Sequence, residues 1–127
     1  MDFNKDVLQA SKKGAVLMDF YADWCGPCRM IKPSLSLIER QRKNFSVVYV
    51  DVDKHRELAR MFGIRSIPTL VLFKDGINVA TRRGGGSKVS IDYWIDEVLS
   101  PEEPVVNKTT NGEEDEQRNI KKDTKKR

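Results

Sequence analysis

The only two cysteines of this 127-residue chain stand three positions apart, in Trp24-Cys25-Gly26-Pro27-Cys28. Thiols at that spacing can do redox chemistry. Residues three apart on a first helical turn have Cβ atoms about 5–6 Å apart, whereas a disulfide needs roughly 3.5–4.5 Å. A small adjustment of the first, non-helical residue closes the difference, so the pair can open and close with little motion. Two further ionisable residues invite attention. Asp19 interrupts the apolar run Ala15-Val16-Leu17-Met18-Asp19-Phe20-Tyr21 shortly before the cysteines. It is either an edge position facing water or a buried carboxyl, raised in pKa by desolvation and able to exchange a proton with a thiol. His55, the lone histidine, reads as a solvated residue in the first turn of a short helix. Two cysteines and one distant histidine cannot complete a four-ligand zinc site within one chain.

The elements around the cysteines give them their chemistry. The run 15–21 reads as a buried strand, and helical spacing of Met30, Ile31, Leu35, Leu37 and Ile38 follows Cys28 up to about Arg42. The dithiol therefore sits at a strand-to-helix junction. Unpaired N–H groups and the positive end of the helix dipole stabilise a thiolate there, which makes Cys25 the more acidic thiol. Pro27 wastes no N–H at an early helical position, and Gly26 lets another backbone approach closely. Pro33 should kink the helix.

Before the strand, Phe3, Val7, Leu8 and Ser11 share one face of a short helix, with Asp2 as N-cap and Gly14 as its stop. After the cysteines come a strand over 45–52, an N-cap at Asp53 and a helix over 54–62 ended by Gly63. A strand over 69–74 then meets a return strand over 77–83 across Asp75-Gly76, a strong hairpin signal. Gly84-Gly85-Gly86 breaks it, and the last helix runs from about 87 to 99, with Ile91, Trp94, Ile95, Val98 and Leu99 on one face. The order α, β, α, β, α, β, β, α is that of a mixed sheet with helices on both faces.

Residues 1–100 thus form one domain, long enough to bury roughly 65% of its unfolded surface without staples. Residues 101–127 hold seven acidic and seven basic side chains and little that is apolar, the composition of a disordered tail. The whole net charge of +4 belongs to the domain. It favours acidic partners, and nucleic acid is not expected, since no recognition motif or aromatic-basic platform accompanies the charge. No run approaches 18 apolar residues, and 1–6 lack the basic start and apolar run of a signal peptide. A single reactive pair rather than a disulfide framework points to the reducing cytosol.

Taken together, Asp19-Phe20-Tyr21-Ala22-Asp23-Trp24-Cys25-Gly26-Pro27-Cys28, Ile67-Pro68-Thr69 and Gly84 resemble the thioredoxin family. The resemblance implies a three-layer α/β/α fold whose sheet has four strands, because the family's first strand is missing. It implies that Cys25 is the nucleophile, Cys28 the resolving thiol and Asp19 the carboxyl assisting proton transfer. Pro68 would follow a cis bond and present backbone to a substrate by β-augmentation, within a docking rim of Trp24, Gly26, Pro27, Ile67 and Gly84. Tyr49 replaces a lysine usual beside the aspartate, so Asp19 should lack a cation. Arg82-Arg83 stand where an apolar residue commonly borders the rim, which adds Arg83 to it and predicts acidic clients. The implied activity is reduction of protein disulfides by a monomer with no bound cofactor, recharged by a thioredoxin reductase drawing on NADPH. A disulfide oxidase or isomerase is the redox alternative, disfavoured by Gly26-Pro27. A binding module or holdase with incidental thiols is the alternative of another class.

Overall fold

The apolar run forms strand β1 (Ala15–Tyr21), buried at six of its seven residues. Unbroken burial means cover on both faces, as befits a central strand. β2 (Phe45–Asp51), β3 (Thr69–Lys74) and β4 (Ile77–Arg83) complete a sheet of order β2-β1-β3-β4. β2 runs parallel to β1, while β3 is antiparallel to both β1 and β4. This computed structural model describes residues 1–100, and the expected charged tail lies outside the described residues. The four-stranded mixed sheet read from the sequence is the one observed.

Helices α1 (Gly26–Gln41) and α3 (Lys88–Leu99) cover one face, where Ala15, Leu17, Leu70 and Leu72 meet Ile31, Leu35, Ile38, Ile91 and Ile95. On the other face Val16, Met18, Phe20 and Val71 pack against Val7, Phe3 and residues of α2 (Arg56–Met61), Leu58 among them. Phe62 there meets Phe3, Phe20 and Phe73 with ring centroids 5.7, 5.4 and 5.9 Å away, tilted or edge-on. Such pairs add to their burial through ring quadrupoles. The turn between β3 and β4 has positive φ at Asp75 (55°) and Gly76 (78°), as the Asp-Gly signal requires.

Three local expectations change. The N-terminal helix is a π-helical turn (Asn4–Gln9) followed by a 3-10 turn (Ala10–Lys12), not a regular α-helix. Tertiary bonds explain this: buried Ser11 donates to Leu8 O at 2.8 Å, its Oγ accepts from Gly76 N and its O accepts from Asp75 N. The segment is thus wound to meet the hairpin. On α1 the buried stripe is Cys28, Ile31, Leu35 and Ile38, while Met30 (78% exposed) and Leu37 (38%) face out. The helix continues through Pro33. Finally, α2 is capped at His55 rather than at Asp53. Asp51 organises that turn, its O accepting from Lys54 and His55 and its Oδ1 from Asp53 N.

Ser11→Ala would strand the Gly76 N–H that now donates to Ser11 Oγ. Such a loss costs about 1–2 kcal/mol, so urea unfolding of the variant should show a lowered midpoint with an unchanged m-value. A midpoint equal to wild type would mean that this bond does not hold the hairpin.

Candidate active site

The strand-to-helix junction falls where the cysteines are. Cys25 is the N-cap of α1, in extended conformation, and Pro27 lies in the first helical turn. Cys25 and Cys28 are joined as a disulfide with Cα atoms 5.3 Å apart. Cys28 N–H donates to Cys25 Sγ at 3.2 Å, the bond by which an N-cap satisfies an orphan donor. Once the disulfide opens, the same N–H points at the Cys25 sulfur, which favours its thiolate. No acidic residue lies in the first turn of α1 to oppose this. Both cysteines are buried with Ala22, against Tyr21, Val52 and Ile67.

A second loop closes over the sulfurs. Ile67-Pro68 is a cis peptide bond, and Ile67 O lies 4.0 Å from Cys25 Sγ. Gly84 N–H donates to Pro68 O at 2.8 Å, and Arg83 pairs in register with Thr69, so the end of β4 lies beside the proline. Gly84 has φ +90°, a conformation glycine adopts freely, and nothing lies within 4 Å of where its Cβ would be. Trp24 is 69% exposed, yet its indole Nε1 donates to Asp53 Oδ2 at 2.9 Å, which fixes the ring at the rim. Gly26 also has open space around it, and Pro27 is exposed. Arg83 is exposed, whereas Arg82 is half-buried and donates to Gly85 O and Ser90 Oγ, its guanidinium 5.9 Å over the Trp94 ring. Of the arginine pair, then, Arg83 alone is exposed, and Arg82 ties the glycine loop to α3.

Asp19 is 1% exposed, which removes the edge-facing-water reading. Its Oδ1 has no hydrogen-bond partner within the protein. Burial pushes the carboxyl from the ordinary 3.8 to about 7, and the nearby Lys32 ammonium pulls the other way. Asp19 and Cys28 line one cleft of about 570 Å³, together with Tyr21, Tyr49, Lys32 and Pro33. The expectation that Asp19 lacks a cation is therefore corrected: α1 brings Lys32 to its cleft. Among the described residues, no three His, Cys, Asp or Glu side chains could hold a metal ion, and no helix is long and apolar enough to cross a membrane.

The structure brings Cys25, Cys28, Asp19, Trp24, Gly26, Pro27, Ile67, Pro68, Arg83 and Gly84 to one end of the sheet. Two participants escaped the sequence reading. Lys32 follows Cys28 by four positions, a spacing that puts both on one helix face and could have found it. Asp53 reads as a helix cap, and nothing local signals its bond to Trp24.

Comparison with known proteins agrees with this geometry. The thioredoxin family profile matches residues 1–97. Thioredoxin of Pseudomonas aeruginosa is 41% identical over 95 residues, covering 74% of this chain and 86% of that protein. Thioredoxin 1 of Synechococcus elongatus is 43% identical over 98 residues, covering 76% and 90%. Thioredoxin of Mycobacterium tuberculosis is 46% identical over 98 residues, covering 76% and 83%. Among solved structures, a mutant thioredoxin from Halobacterium salinarum NRC-1 superposes with a TM-score of 0.68 at 34% identity, covering 79% of this chain and 87% of that one.

Folded Asp19 keeps its proton to about pH 7, whereas an unfolded aspartate releases it near 3.8. Between those values the folded state holds more protons, so stability falls as pH rises through the window and levels off above it. The oxidised protein should lose on the order of 3–4 kcal/mol between pH 4 and 8 from this group. Asp19→Asn should show a much flatter profile and be the more stable form at pH 8. Parallel profiles for the two proteins in urea unfolding would show that the buried carboxyl carries no such penalty.

Proposed function

The chain belongs to the thioredoxin family, and on that premise we infer how its residues divide the work. It is a thiol-disulfide oxidoreductase that reduces protein disulfides through the Cys25-Cys28 pair. Cys25 thiolate attacks one sulfur of a client disulfide. A Cys25–client disulfide forms, and the client's other sulfur leaves as a thiolate. Cys28 then gives its proton to Asp19 and attacks Cys25 Sγ. The second client sulfur leaves as a thiolate and the Cys25-Cys28 disulfide closes, so two electrons have passed to the client. The observation that carries this reading is Cys25 at the N-cap of α1, with Cys28 N–H on its sulfur.

The client would dock where Trp24, Gly26, Pro27, Ile67, Arg83 and Gly84 border the dithiol, its extended backbone laid beside Pro68. Arg83 and Arg65, both exposed near this loop, suit acidic clients. Arg82 has no part in that preference, being engaged with Gly85, Ser90 and Trp94. Recharging the disulfide falls to a thioredoxin reductase with electrons from NADPH, the nucleotide being held by that partner. A dithiol that must return to its reduced form after each cycle suits the cytosol, and a monomer suffices because one chain carries both thiols.

With dithiothreitol as electron source, the protein should reduce insulin disulfides, and Cys25→Ser should slow this by roughly a hundredfold or more. Cys28→Ser should instead trap the mixed disulfide, visible as a covalent adduct. Insulin reduction that survives Cys25→Ser would overturn the assignment. For specificity, Arg83→Glu should lower turnover of acidic disulfide peptides relative to basic ones by roughly two- to fivefold at low salt. An unchanged ratio would remove Arg83 from client selection.

A further inference from the structure

We propose that Lys32 is the positioning residue that supplies the cation beside Asp19, and that Tyr21 and Tyr49 hold its ammonium there. Lys32 lies on α1, one turn beyond Cys28 and so on the same helix face. Its Nζ stands 5.0 Å from the ring centroid of Tyr49 and 5.3 Å from that of Tyr21. The two rings meet edge to face, with centroids 6.5 Å apart at 85°. A lysine ammonium within about 6 Å of a ring is attracted by the ring quadrupole. Two rings at once keep a flexible, surface-exposed side chain at one place instead of letting it sweep through solvent. Tyr49 is the direct β2 neighbour of Asp19 in register, so the ring that holds the ammonium is carried by the carboxyl's own strand partner.

The other groups around Asp19 do not supply this charge. From α1, Cys28 and Arg29 share its cleft, and the Arg29 guanidinium donates to Asp23 O at 2.7 Å. From β1 and the loop after it come Tyr21 and Asp23, and from β2 come Tyr49 and Asp51. β3 presents apolar Leu70 opposite. Tyrosines and aspartates cannot favour a carboxylate by charge. Lys32 is the group whose attraction opposes the burial of Asp19. The Asp19 oxygen without a protein partner gives that attraction its target, a buried carboxylate otherwise unsatisfied.

The inference concerns the charge state of Asp19, and only its effect on rate rests on the proton-acceptor role given above. Two readouts on the full chain separate them. Carbon-13 NMR of the Asp19 carboxyl reports its titration midpoint directly. The release of client thiol from a preformed Cys25 mixed disulfide reports the Cys28 step as a function of pH. In Lys32→Met the midpoint should rise by roughly 0.5 or more, and thiol release should slow at pH 6–7 and recover above pH 8. Lys32→Arg, which keeps the charge, should restore the wild-type midpoint, and Tyr49→Leu should move it in the same direction as Lys32→Met. A midpoint that moves while the rate profile stays fixed supports Lys32 and overturns Asp19 as proton acceptor. An unmoved midpoint in Lys32→Met, or a rate loss equal at every pH, overturns the proposal. Lys32 is exposed, so its loss leaves the core intact.

Discussion

β1 has to be covered on both faces, and the rest of the molecule follows from that requirement. One cover is α1, which must start where β1 ends if it is to turn back over the sheet and deliver the chain to β2 in parallel. The start of a covering helix is also where unpaired N–H groups collect. Placing Cys25 at that cap makes a packing necessity into a thiolate site, with no residue spent on it alone. The same double cover makes Asp19 costly, since any carboxyl on β1 under α1 is cut off from water.

That cost separates structural from chemical demands within one strand. Leu17 and Asp19 point to the same face, and Leu17 packs into the core that Asp19 interrupts. An apolar residue at 19 would serve the fold better. What the aspartate offers is a group that changes charge near neutral pH, because burial moves it there. Lys32 limits the move. A fully buried cation would itself need desolvation, whereas one resting on the faces of Tyr21 and Tyr49 at the mouth of the cleft keeps its hydration and still acts on the carboxyl.

The features legible in the sequence were those fixed by local pattern. Strand β1, the Asp75-Gly76 turn and the span of α3 follow from apolar runs and turn chemistry, and all stand close to where the pattern puts them. The dithiol was legible from spacing alone, while the roles of Pro68 and Gly84 came through resemblance to a family. What escaped depends on partners distant in sequence. Asp53 looks like a cap but bonds Trp24 twenty-nine residues away. Ser11 looks like one residue of an amphipathic helix but answers to a hairpin 65 residues on. Arg82 and Arg83 look equivalent, although strand alternation puts them on opposite faces of the sheet, one engaged with α3 and the other exposed. Tyr49 reads as a lost cation only while residue 32 is ignored.

The two sulfurs also meet different surroundings, and this organises the chemistry. Cys25 abuts Ile67 O in the cis-proline loop, on the side where Trp24 and Gly84 leave room for an extended chain. Cys28 lines the cleft that holds Asp19 and is roofed by Lys32 and the tyrosines. In the proposed mechanism, client sulfur would thus arrive on one side of the disulfide and the proton would leave on the other. A client docked as proposed would cover the rim without covering the cleft, so the proton of Cys28 would keep a path when the mixed disulfide most needs to be resolved. Had both sulfurs faced the rim, the client that makes the second step necessary would also have blocked it.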